Sequence, residues 1–139
     1  MKHSIIISLS ILLTAVFTVG CGTGNDDDCF VSDSCDQIPW DSAYVDIKLS
    51  DNGNQGTILV FYEGYVEDNN IISIDTVWGT TDWWYWVPVG RRYAVEAYYQ
   101  SGQDLTVALD GGKLKKDTYE DCGATCYREP KLELDVLKL

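Results

Sequence analysis

The sequence predicts an all-β fold, a single antiparallel β-sandwich of seven or eight strands. Three observations predict it. Beyond residue 40, apolar residues recur at every second position, the period of a strand with one buried face. Turn-forming Gly, Asn, Asp and Ser clusters return about every 8–12 residues, the spacing of short strands in a two-sheet domain. No segment after residue 20 carries a helical period. A small barrel is the second choice. The chain has 139 residues with 45% apolar and 23% charged content, enough for one globular domain of ordinary size.

The elements run as follows. Met1-Lys2-His3 is a short positive start, and Ile5 to Val19 is apolar but for Ser8, Ser10, Thr14 and Thr18. This is the n-region and h-region of an export signal, shorter than the roughly 20 apolar residues that span a bilayer. Thr18-Val19-Gly20-Cys21 resembles the lipobox of bacterial lipoproteins. The resemblance implies cleavage after residue 20, diacylglycerol on the Cys21 sulfur and acylation of the new N-terminus. Gly22 stands where an aspartate would resemble the inner-membrane retention signal of enteric bacteria, so outer-membrane delivery is expected. The tract Asn25-Asp26-Asp27-Asp28 resembles those that accompany surface display in some phyla; as plain chemistry it is a solvated spacer. Residues 1–20 therefore read as signal, 21–40 as a lipidated, acidic, flexible tether, and 41–139 as the domain.

Within the domain, Val45, Ile47 and Leu49 share one face of the first strand. After the turn at Asp51–Gly56, Thr57–Tyr62 is apolar on both faces, as a central strand is. Asp68-Asn69-Asn70 turns into Ile71–Trp78, and Gly79–Asp82 into Trp83–Val87. Tyr93, Val95, Ala97 and Tyr99 alternate cleanly through Arg92–Tyr99. Leu105–Leu109 follows the turn at Ser101–Asp104. Beyond Gly111-Gly112 come a more polar segment, Lys113–Tyr119, and a loop between Cys122 and Cys126. Leu132, Leu134 and Val136 form the last strand, where Val136-Leu137 breaks the alternation and predicts a bulge or an edge covered on both sides. The run Pro88-Val89-Gly90-Arg91-Arg92-Tyr93-Ala94-Val95-Glu96-Ala97 resembles the corner between strands of fibronectin type III and other immunoglobulin-like domains. That resemblance implies a tyrosine hydroxyl bonded back to the turn. Transthyretin-like sandwiches carry a similar Gly-x-Tyr-x-Val strand.

Setting Cys21 aside leaves Cys29, Cys35, Cys122 and Cys126, an even number that in an exported chain reads as two disulfides. Short spacing favours the local pairs Cys29–Cys35 and Cys122–Cys126; crossed pairing, tying the tether to the last hairpin, is the alternative. Neither spacing is CxxC, so neither a redox motif nor a zinc site is indicated.

Acids outnumber bases 22 to 10, a formal charge of −12, and cleavage of the signal removes Lys2 and no acid. Such a surface repels nucleic acid. The only histidine, His3, leaves with the signal, which excludes Ser–His–Asp and Cys–His devices and histidine-ligated metals. No carboxylate pair stands out for glycoside hydrolysis, no glycine-rich phosphate loop precedes a helix, and acidic turns lack calcium-loop spacing. The chain is read as non-enzymatic, with no cofactor and no metal. The unusual feature is Trp78, Trp83, Trp84, Tyr85 and Trp86. On a strand, Trp84 and Trp86 face opposite to Trp83, Tyr85 and Val87, and both sets cannot be core. One set is then a contact surface or is covered by the tether. The expected role is a lipid-anchored envelope protein presenting this aromatic face to an envelope or surface protein. The alternative is a small carbohydrate-binding module, in which the rings and carboxylates such as Asp75 and Asp82 take a sugar. Lys113, Lys115 and Lys116 are expected to pair with Asp117, Glu120 and Asp121 or to blunt an edge strand.

Overall fold

Period-two alternation becomes nine strands in the computed structural model, which describes residues 31–138. The signal, Cys21, Asp26–Asp28 and Cys29 lie outside the described residues. The strands are β1 (Ser42–Leu49), β2 (Thr57–Glu63), β3 (Ile71–Val77), β4 (Asp82–Pro88), β5 (Arg92–Ser101), β6 (Asp104–Lys113), β7 (Asp117–Asp121), β8 (Ala124–Arg128) and β9 (Leu132–Val136). Seven build the sandwich: a three-stranded sheet in the order β4-β1-β9 and a four-stranded sheet in the order β3-β2-β5-β6. The other two, β7 and β8, form a separate hairpin.

The two sheets enclose one core. Ala43, Val45 and Ile47 from β1 meet Leu59 and Phe61 from β2, and Tyr93, Val95 and Ala97 from β5. Three aromatic rings stack through its middle, Phe61 lying 4.1 Å from Tyr85 and 5.5 Å from Tyr93. The Tyr93 hydroxyl donates to the Pro88 carbonyl at 2.7 Å, the bond that the corner's likeness to fibronectin domains implies. Gly90 holds the turn beneath it at φ +90°, where a side chain would be strained.

All sheet pairings are antiparallel except one. β9 lies parallel to β1, Val45 opposite Leu132 and Leu49 opposite Val136. The last strand of the chain thus flanks the first strand of the domain. It comes close to β6 at Gly112, where an added Cβ would sit 2.6 Å from Leu132 Cδ1 and push that side chain aside. The Val136-Leu137 pair marks no bulge: the strand ends at Val136, and Leu137 lies beyond it, 43% exposed.

The expected local disulfides are corrected. Cys35 is bonded to Cys126 across 91 residues of sequence, and Cys122 is disulfide-bonded as well. The reason is the hairpin. Cys122 and Gly123 form its two-residue turn, both at positive φ, while Cys126 lies inside β8, opposite Tyr119. A strand advances about 3.3 Å per residue. That carries Cys126 away from Cys122 and past the reach of roughly 7 Å between Cα atoms that a disulfide allows. Instead Cys126 is fully buried against the segment before β1, where Asp36 also bridges Tyr127. Part of the expected tether is therefore fastened to the domain.

Candidate functional site

Strand β4 divides its aromatics as alternation requires. Trp83 and Tyr85 pack against the core, while Trp84 and Trp86 stay 59% and 51% exposed. The structure brings these two together with a residue that sequence reasoning missed. Tyr44, opposite Trp86 in the register, lies edge-on to both rings, 5.1 Å from Trp84 and 4.6 Å from Trp86. Carboxylates flank the trio, but not the expected ones. Asp46 is opposite Trp84, and Glu133 is opposite Asp46. Asp82 forms an ion pair with Lys48, whose ammonium holds the carboxyl below its ordinary range. Asp75 faces the opposite way and accepts 2.6 Å bonds from Ser73 and Tyr85. The chain before β1 covers Trp86 only in part; between them Ile38, Pro39, Trp40 and Trp86 line a groove of about 410 Å³. Trp78 belongs to neither group. It stands 65% exposed after β3, against Gly56, on the other sheet.

A second face lies on the outer side of the four-stranded sheet. In β6 the large residues Leu105, Val107 and Leu109 face outward, and the smaller Thr106 and Ala108 are opposite the inward Tyr99 and Ala97. In β3, Ser73 and Asp75 take the inward positions while Ile72 and Ile74 face out. The register then lays one row of side chains across all four strands, Ile74–Val60–Glu96–Leu109, and a parallel row, Thr76–Ile58–Tyr98–Val107. Exposure of Ile58, Ile72, Ile74, Leu105, Val107 and Leu109 runs from 45% to 62%, so water covers an aliphatic field on β3, β2 and β6, with Glu96 and Tyr98 of β5 in its midst.

Within these two rows the one acidic group is Glu96. The Tyr62 hydroxyl donates to Glu96 Oε2 at 2.6 Å and the Tyr98 hydroxyl to the same oxygen at 2.9 Å. Burial, then the bond to Glu96, raises the Tyr62 phenol well above its ordinary range; for Tyr98 the bond to Glu96 comes first. This face left one sequence signal: strands whose larger apolar residues alternate with small or polar ones, without anything to say which set is core.

The remaining candidates resolve into local roles. Arg91 pairs with Glu63 at 2.8 Å, and the Arg92 guanidinium lies 4.3 Å over the Tyr65 ring. Lys115 and Lys116 meet Arg128 and Lys131 around a cleft of about 580 Å³ at the base of the β7–β8 hairpin, with Asp117 and Glu129. No ion pair joins Lys115 or Lys116 to Asp117, Glu120 or Asp121. Asp51 and Asp68 cap their own turns, accepting from the amides of Gly53 and Tyr65. Among the described residues no three His, Cys, Asp or Glu side chains converge as a metal site. No protein-family model matches the chain, and neither does a curated protein or a solved structure.

Proposed function

We propose that this chain is a non-catalytic binding module, held in the bacterial envelope by lipid on Cys21 at the outer membrane or cell surface. It grips an envelope or surface protein through the outer face of the four-stranded sheet. The observation that carries the reading is the aliphatic field from Ile74 to Leu109. Half-exposed Ile, Leu and Val side chains on β3, β2 and β6 offer a sugar little to hydrogen-bond, whereas they match the apolar centre of a protein interface. The acidic remainder keeps such a surface soluble.

The test is a photo-crosslinking residue at Ile74 or Leu109 in the lipid-anchored chain, irradiated in its own cells. The expected result is one discrete protein adduct, absent when the crosslinker stands at Gln103. Adducts at neither position would overturn the reading. Mass analysis of the N-terminal peptide checks the lipid separately, and an unmodified Cys21 would remove the anchor.

The aromatic trio supports a second reading, carbohydrate binding on the opposite face. Trp84 and Trp86 are open to solvent beside Asp46 and Glu133, rings and hydroxyl acceptors together. A saturable change in tryptophan fluorescence with a polysaccharide, abolished in Trp84→Ala and Trp86→Ala without loss of fold, is the expected signature. A flat response from the folded protein would sink it.

A further inference from the structure

We infer that the protein seated on the four-stranded face presents an apolar surface with a single Lys or Arg, and that this cation pairs with Glu96. The inference rests on the protein-contact reading above and adds the chemistry of the partner. Glu96 stands between Val60 and Leu109 in its row and beside Tyr98 and Ala94 along its strand, so any partner that covers the aliphatic field also covers the carboxylate. Both tyrosine bonds end on Oε2, and Oε1 receives none from the described residues. No described Lys or Arg forms an ion pair with it. Closing an apolar surface over Oε1 would strip its water and return nothing, which is costly for a charged group. A partner ammonium or guanidinium restores that interaction in a desolvated setting.

The tyrosines do more than satisfy one oxygen. Two hydroxyls fixed by β2 and β5 hold the carboxylate in one orientation before anything binds, so little side-chain freedom remains to be lost on association. A second copy of this chain fits the site less well. Packing of this face on itself would bring two strongly acidic molecules together. Charge complementarity selects a basic contact instead, and the same carboxylate rejects acidic or wholly apolar competitors.

The experiment places a photo-crosslinking residue at Leu109, next to Glu96, in the full lipid-anchored chain in its own cells. Glu96→Gln, which keeps both tyrosine bonds, and Glu96→Asp are compared with the parent, and thermal unfolding of each confirms the fold. The expected result is one protein adduct whose yield falls at least about tenfold in Glu96→Gln and less in Glu96→Asp. Its crosslinked peptide should carry Lys or Arg among apolar residues, and reversing that charge together with Glu96→Lys should restore the yield. Full yield in a folded Glu96→Gln variant overturns the inference and leaves the protein contact standing. An adduct of two copies of this chain overturns the inference in favour of self-association. Absence of any protein adduct overturns both readings.

Discussion

Five tyrosine hydroxyls in this domain have jobs that decide how it responds to alkali. Tyr93 closes the β4–β5 corner, Tyr99 donates to the Val136 carbonyl at 2.7 Å, Tyr85 is bonded to Asp75, and Tyr62 and Tyr98 serve Glu96. All five phenols are raised above the ordinary value of about 10. For Tyr62, Tyr85, Tyr93 and Tyr99 burial is the first cause. The folded state keeps these protons at a pH where the unfolded chain releases them. Their contribution is complete below about pH 10 and is lost as pH rises through the folded values. Urea midpoints should therefore hold level from pH 7 to about 9 and fall above about 10, and Tyr85→Phe should make that fall shallower. At this scale the sequence was readable where a residue's partner is local. Tyr93 and its turn lie within ten residues and resemble a known corner. Tyr85 reaches Asp75, and Tyr99 reaches Val136, only once the two sheets have packed face to face, because each bond runs from a strand of one sheet to a strand of the other.

The strands were legible as strands, and less so as surfaces. Alternation located all seven strands of the sandwich. It could not orient β3 and β6, because Ile72 and Ile74 against Ser73 and Asp75, or Val107 against Ala108, satisfy the same pattern whichever set is buried. Which set faces in is decided by neighbours: Ala97 and Tyr99 on β5 place Ala108 and Thr106 inward by register. The final strand shows the same limit. Its apolar residues announced β9, but only the fold reveals that it lies parallel to β1. Leu134 is 1% exposed in that slot, so Leu134→Ala should cost about 2–4 kcal/mol. Leu137→Ala, beyond the strand end, should change stability by less than about 0.5 kcal/mol. Urea denaturation of the two variants checks both.

For the molecule as a whole, the disulfides matter more than their number suggested. The Cys35–Cys126 bond joins residues 91 apart, and the loop-entropy model assigns such a closure about 4–5 kcal/mol, against roughly 2 kcal/mol for a link over a few residues. Cys35→Ser with Cys126→Ser should lower unfolding free energy by an amount in that range and shift the thermal midpoint by well over 10 °C. Spacing favoured the local pairs because sequence distance was the only distance available; the hairpin that separates Cys122 from Cys126 is a property of the folded β7 and β8. The contact surfaces show the same division. The tryptophans drew attention by their rarity, and Trp84 and Trp86 are indeed exposed, yet Tyr44 joins them only by cross-strand register. The aliphatic face is assembled from β2, β3 and β6 around the polar residues of β5, and none of these strands is unusual by itself.

The seat of β9 beside β1 also sets an order of events. A chain lengthening from its N-terminus makes β1 first and supplies one of its two neighbours last of all. Until Leu132–Val136 has emerged, β1 has an open edge and the core lacks Leu134 and Val136. The bond between Cys35 and Cys126 waits for nearly the same moment. A domain lacking β9 therefore leaves one edge of β1 unpaired and its core open where Leu134 and Val136 belong, and such an incomplete chain exposes apolar surface to chaperones and proteases.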